Sequence, residues 1–303
     1  MKTVKQLEKT ANQIRQDIIN MLLKAGSGHS AGPLGMADVF TALYLGGVAK
    51  LNPKKKTDPN RDRVVLSNAH ICPVLYATLA HSGYIPHKQL KTLRQLGSPL
   101  QGHSNNHFNN GIETCGGPLG QGISQAIGIA LSARINRTTN IEQRTAQKNR
   151  SSKLEIQKSN YHTWCLMGDG ELDEGQCWEA FMLAGKMNLR ELTVFIDRNN
   201  IQIDGPTEEI MPLEDLTAKF KAFNWFVIEV DGHNIREILD AMKKAKSMAA
   251  NPTVIICHTI PGKGVDFMEN KFEWHGKPPN KEEAKIALHE LRTLGGKIYS
   301  EHQ

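Results

Sequence analysis

The sequence predicts an α/β fold: a doubly wound, mainly parallel sheet flanked by helices. Three features carry that expectation. Short apolar or β-branched runs alternate with segments of helical period, the pattern of strands joined by crossover helices. The runs are apolar at consecutive positions rather than at every second one, as strands covered on both faces are. Each run also gives way at its carboxyl end to small, polar or ionisable residues, and in an open parallel sheet ligands bind beyond those ends.

Helices lead. Ile14, Ile18, Ile19, Leu22 and Leu23 recur at helical spacing, and Val39, Phe40, Leu43 and Tyr44 mark a second amphipathic helix behind Pro33, Leu34 and Gly35. Strands are expected at Arg63–Leu66, 163–167, 193–196, 226–230 and 253–257, with helices at 178–187, 213–223, 235–248 and 281–294. Beyond the strands stand Ser67-Asn68-Ala69-His70, Gly168-Asp169-Gly170, Asp197-Arg198-Asn199-Asn200, Asp231-Gly232-His233, and the stretch from His258 to Gly264.

A chain of 303 residues can bury a sizeable core, and 39% hydrophobic with 22% charged residues is ordinary globular composition, which excludes collagen-like, mucin-like and wholly disordered classes. One domain over 1–303 is expected, closed by a helix and a short tail at Leu294-Gly295-Gly296. No apolar run reaches the roughly eighteen residues that span a bilayer, and the N-terminus lacks a signal-peptide core. The expectation is a cytoplasmic protein without a membrane partner. The five cysteines are widely spaced with no C-x-x-C pair, so idle thiols in a reducing compartment are expected. Of the net charge of +6, a surplus of five lies between 134 and 160, a stretch poor in large apolar residues that reads as a basic, solvated and partly disordered insertion. It has no aromatic residue before Tyr161, which argues against nucleic acid as a partner.

The most informative spacing is Gly168-Asp169-Gly170 followed, after twenty-eight residues, by Asn199-Asn200. A carboxylate and a carboxamide at the tips of neighbouring strands can hold a small hard cation through oxygen and leave positions for phosphate oxygens. Gly170 lets a backbone N–H approach a phosphate, and a helix beginning between Gly175 and Trp178 points its positive end the same way.

On these motifs the chain resembles the thiamine-diphosphate enzymes. The segments Ala25 to Gly35, Leu66 to His70, Gln101-Gly102-His103, Gly117 to Gly122 and Trp274-His275-Gly276 resemble, in order, the N-terminal half of transketolase, over Gln6 to about Pro279. The resemblance implies thiamine diphosphate and Mg²⁺, or Ca²⁺ or Mn²⁺, as cofactors. It implies Asp169 and Asn199 as side-chain metal ligands, the Ile201 carbonyl as a third, and Gly170 at the diphosphate. Gly117 and Leu119 match the segment against the centre of the cofactor; His29, His70, His103 and His275 match the histidines of the diphosphate and substrate channel, with His29, His103 and His275 the catalytic candidates. Glu174 matches a glutamate that couples two active sites across a dimer. His233, His258 and His107 stay open between support and ordinary packing, whereas His81, His87, His162, His289 and His302 read as ordinary residues. Two-carbon ketol transfer moves protons on and off sugar hydroxyls near neutral pH, which suits a set of imidazoles.

The family's second domain, which carries a glutamate for the pyrimidine ring and arginines for the substrate phosphate, would begin where this sequence stops. The expectation is therefore the N-terminal subunit of a two-chain transketolase acting on sugar phosphates, in pentose-phosphate metabolism or a dedicated sugar pathway. Its partner would be a C-terminal, pyrimidine-binding subunit, in a heterotetramer. Rival readings are the α-type chain of a 2-oxo acid dehydrogenase, a deoxyxylulose-phosphate synthase fragment, and a non-catalytic diphosphate-binding assembly protein. The insertion at 134–160 and the Ala31-Gly32 order after Ser30 depart from the family pattern.

Overall fold

The computed structural model describes residues 2–107, 111–147 and 161–293, with backbone alone over 136–147. Seven strands are present among them: β1 (Arg63–Leu66), β2 (Thr163–Gly168), β3 (Leu192–Arg198), β4 (Ile201–Gln202), β5 (Gly205–Pro206), β6 (Phe226–Asp231) and β7 (Thr253–His258). Five of them form one parallel sheet in the order β1-β2-β3-β7-β6, and β4 pairs antiparallel with β5 in a small ribbon. The five large strands are those expected from the sequence. Ten α-helices join them: α1 (Val4–Ala25), α2 (Ala31–Gly35), α3 (Ala37–Leu45), α4 (Cys72–His81), α5 (Gln121–Gln147), α6 (Gly175–Lys186), α7 (Thr207–Ile210), α8 (Leu216–Ala222), α9 (Ile235–Ser247) and α10 (Lys281–Thr293).

The pleat sorts the strand residues between two cores. Trp164, Leu166, Phe195, Ile255 and Cys257 face the layer built around α1, α3, α4, α9 and α10, whereas Cys165, Met167, Val194, Ile196, Val254 and Ile256 face the layer of α5, α6 and α8. Double coverage is why these strands are apolar at successive positions. β6 is the exception: it is the sheet's edge and half exposed, with Phe226 at 36%.

Local signals set the helix ends. Thr3 and Gln6 form a capping box on α1, and Gly26 closes it in the left-handed region at φ 64°. The helix expected from 213 starts instead at Leu216, because the Asp215 carboxylate accepts the Ala218 N–H and caps it there. The two ends of the described chain meet: α10 lies against α1, where Asn12 Nδ2 donates to the Leu291 carbonyl at 2.8 Å.

The first part of the stretch expected as a basic insertion is helical: α5 continues without a break through Gln147. Arg134 is tied down, donating to the Met187 and Asn188 carbonyls beyond the end of α6 and pairing with Glu191 at 2.8 Å. The remainder, 148–160, lies outside the described residues, as does the tail expected after 293. All five cysteines are free, four of them buried and Cys115 exposed. No described helix is long and apolar enough to cross a membrane.

Candidate active site

The carboxyl ends of β1, β2 and β3 open onto a cavity of about 330 Å³. Ten of the residues expected at a site line it: His29, His70, His103, His275, Gly117, Leu119, Asp169, Gly170, Asn199 and Ile201. Glu174 does not. It stands at the N-cap position of α6 without a side-chain capping bond, exposed, with its Cβ beside Gly120.

Register places the oxygen donors. Gly168 and Asp197 are cross-strand neighbours in the β2–β3 pair, so Asp169 and Asn199 emerge side by side one step beyond the sheet. Asp169 Oδ1 accepts the Gly170 N–H at 2.8 Å, and Oδ2 accepts the Asn200 N–H at 2.8 Å and Arg198 Nη1 at 3.2 Å. Asn199 donates to Asp197 Oδ2 at 2.9 Å and accepts the Ile201 N–H at 3.1 Å, which curls 199–201 around the cavity floor. Burial pushes the Asp169 carboxyl up to about 6, against the Asn200 N–H and Arg198, which favour its ionised form. Asp197, fully enclosed and close to Asp169, is pushed up to about 7 by burial, against the hydrogen bond from Thr259.

The opposite wall is imidazole. The rings of His29, His70 and His275 lie 4.9 to 5.5 Å apart, brought from the α1–α2 loop, the turn after β1 and the 3₁₀ turn Phe272–Trp274. Ser30 Oγ donates to the Lys277 carbonyl at 2.5 Å and so fastens the first of these segments to the last. Gly28 turns the chain at φ 127°, and a Cβ there would stand 2.6 Å from Leu22, so only glycine delivers His29 this way. The backbone leading into His103 is held: Tyr76 Oη donates to the Gln101 carbonyl at 2.9 Å, with the His103 carbonyl at 3.4 Å, and Cys72 Sγ donates to the Gly102 carbonyl at 3.2 Å. The Cys72 thiol, pushed up to about 12 by burial, stays a donor. Burial lowers all four imidazoles, His29 to about 4 with help from His275 and Arg94. Four neutral rings can accept or donate at either nitrogen.

Glu171 directly follows Gly170, yet nothing in the sequence marks it. Its carboxylate accepts from Ser67 Oγ, from the Gly120 N–H at 2.7 Å and from the Gly168 N–H at 3.3 Å. It thus ties the 117–120 loop to the tips of β1 and β2, and burial pushes its carboxyl up to about 7. Asp197 is likewise unmarked, although its strand tip is recognisable. Neither stands out because a carboxylate satisfied by hydrogen bonds within the site has no spacing signature. Of the histidines left open, His233 is buried against Asp38 at 3.0 Å, exposed His258 meets Glu229 at 2.9 Å, and His107 is exposed; none lines the cavity.

The donor set fits a divalent ion and a diphosphate cofactor. Two buried carboxyls, Asp169 and Asp197, line the same cavity beside the Asn199 amide, a set of hard oxygen atoms suited to a cation. Two buried ring nitrogens, His29 Nδ1 and His275 Nδ1, have no hydrogen-bond partner among the described residues. Gly117 has open space where a side chain would be.

Comparison with known proteins agrees with this geometry. Residues 6–295 match the family described as transketolase, thiamine diphosphate binding domain. The chain is 39% identical over 289 residues to the 6-deoxy-6-sulfo-D-fructose transketolase subunit SqwG of Clostridium sp. (strain MSTE9), covering 95% of this chain and 97% of the relative. It is 34% identical to an apulose-4-phosphate transketolase subunit of Phocaeicola vulgatus, over 99% of this chain and 98% of that one. Transketolase 2 of Escherichia coli is 38% identical over 93% of this chain, which spans 40% of that protein. Among solved structures, the R525L mutant of the Pichia stipitis transketolase superposes with a TM-score of 0.83 at 33% identity, over 96% of this chain and 41% of that one.

Proposed function

The chain belongs to the transketolase family through its thiamine-diphosphate-binding domain, and from that premise we propose that it is the N-terminal subunit of a transketolase divided between two polypeptides. It transfers a two-carbon ketol unit from an anionic ketose to an anionic aldose in the cytoplasm, in a heterotetramer with a pyrimidine-binding subunit. The observation that carries this reading is the match from end to end with two relatives that are themselves named as subunits, set against two-fifths coverage of the single-chain enzymes. The rival dehydrogenase, synthase and assembly readings have no comparable support.

Asp169 and Asn199 would hold Mg²⁺ through side-chain oxygens and Ile201 through its carbonyl, with the Gly170 backbone against the diphosphate. When bound, thiamine diphosphate supplies the electron sink for cleaving and remaking the C–C bond. The protein's share is proton handling and exclusion of water. His29, His103 and His275, neutral at physiological pH, accept the proton of a ketose hydroxyl as the bond breaks and return one to the new sugar. His70 and Leu119 would line the cofactor's side of the cavity, and Gly117 would leave it room. Glu174, exposed at the start of α6, would couple the two active sites across the assembled dimer.

The test is ketol transfer from xylulose 5-phosphate to ribose 5-phosphate, or between the sulfosugar and apulose-type substrates named for the relatives. It is run with this chain by itself and with a candidate pyrimidine-binding partner. Turnover only in the mixture is expected; full turnover by this chain without a partner overturns the divided-site reading.

A further inference from the structure

We propose that Asp17, His81 and His87 form a second metal site, for a divalent transition ion such as Zn²⁺, on the outer face of the helical layer and independent of the cofactor cavity. The three come from different elements: Asp17 from α1, His81 from the last turn of α4, and His87 from the start of the 3₁₀ turn His87–Thr92. Their donor atoms all lie within 4.8 Å of one another. Both Nε2 atoms stand 2.8 Å from the same Asp17 Oδ2, and the two rings meet edge to face at 5.3 Å between centroids. Five residues separate the histidines, within the spacing of metal-binding histidine pairs, and the spacer is shaped by Gly83 at φ 84° and by Pro86.

The chemistry selects the ion. Two imidazole nitrogens and one carboxylate oxygen suit Zn²⁺, Co²⁺ or Ni²⁺ rather than the all-oxygen shell of Mg²⁺ or Ca²⁺. A tetrahedral ion at about 2.0–2.1 Å from each donor needs donors about 3.3 Å apart, so the two 2.8 Å contacts open by a few tenths of an ångström on binding. Each ring then carries its proton on Nδ1 and offers the Nε2 lone pair to the metal. Asp17 and His81 are largely enclosed, at 19% and 17% side-chain exposure, whereas His87 at 56% leaves an outward coordination position. That position faces a groove whose rim carries Lys24, Lys88 and Lys91, a positive field that favours an anionic or hydroxide fourth ligand. Loaded, the site clamps α1 to the turn that follows α4.

The experiment titrates Zn²⁺ calorimetrically, and Co²⁺ by visible absorption, into the chelator-treated full chain. Because the cofactor cavity, through Asp169 and its histidines, could also take such ions, His29→Ala in an Asp169→Ala background is titrated alongside. The expected result is one ion per chain that persists in that double variant and is bound at least about tenfold more weakly in His87→Ala and in Asp17→Asn. His87 is exposed, so its replacement leaves the fold and ketol transfer by the assembled enzyme unchanged. Binding of equal strength and spectrum in wild type, His87→Ala and Asp17→Asn overturns the proposal, as does the absence of any ion that survives the double variant.

Discussion

Glu171 joins three segments through one carboxylate, and its removal strands the buried Gly120 N–H, whereas the Asn68 amide oxygen can still accept that of Gly168. An unpaired buried donor costs about 1–3 kcal/mol, so Glu171→Ala is expected to loosen the 117–120 loop and weaken thiamine diphosphate binding about tenfold or more. Glu171→Gln, which can still accept, restores much of it. Calorimetry on the assembled enzyme measures both, and equal affinity in all three proteins would remove Glu171 from the positioning role. His103→Ala is expected to lower kcat by about 10²–10⁴, the usual span of a general acid–base group, with little change in cofactor affinity. Steady-state ketol transfer separates the two. These residues differ in legibility. Asp169 and Asn199 are readable because register puts them at adjoining tips, whereas Glu171 acts by accepting from main-chain groups that no side-chain pattern marks.

At the scale of elements, strand positions are legible because burial on both faces leaves mostly apolar side chains in β2, β3 and β7. The continuation of α5 is not. Its residues beyond Ala133 are mostly polar, with Ile135 and Ile141 too sparse to sustain a hydrophobic period, yet Arg and Gln are good helix formers and Arg134 satisfies carbonyls beyond the end of α6. Helices are joined elsewhere by a buried polar chain that no motif announces. Arg15 pairs with Asp38 at 2.5 Å, Asp38 accepts from His233 Nδ1, and His233 Nε2 accepts the Ile260 N–H at 2.8 Å. Burial alone would raise the Asp38 carboxyl, but Arg15 and His233 hold it below its ordinary range. Asp38→Ala leaves the Arg15 guanidinium, 1% exposed, without its counterion, and is expected to cost about 3–5 kcal/mol in urea unfolding. A loss under about 1 kcal/mol would mean that Leu34, whose carbonyl also accepts from Arg15, suffices.

Across the whole molecule, buried titratable groups pull stability in opposite directions with pH. His162 is lowered to about 4, first by burial, so between its unfolded value near 6.5 and about 4 the unfolded chain binds a proton that the folded chain refuses. Its contribution is flat above that window and is lost as pH falls through it. Glu171 and Asp197, raised to about 7, act in the reverse sense, since the folded state then holds the extra proton. The difference between wild type and His162→Gln isolates the histidine: the wild-type advantage is expected to shrink steadily as pH drops from about 6.5 to 4. Urea midpoints across that range measure it, and a constant difference would show that His162 takes up its proton equally in the folded and unfolded states.

The contact between Asn12 and Leu291 spans 279 positions of sequence. On a ribosome adding roughly 5–20 residues per second, α1 emerges about 15–55 seconds before α10 exists to cover it. Throughout that interval the greasy stripe of Leu7, Ile14 and Ile18 is incompletely sheltered. A holdase that shields the nascent N-terminal helix is therefore expected to raise the soluble yield of newly made chains, measured on co-expression.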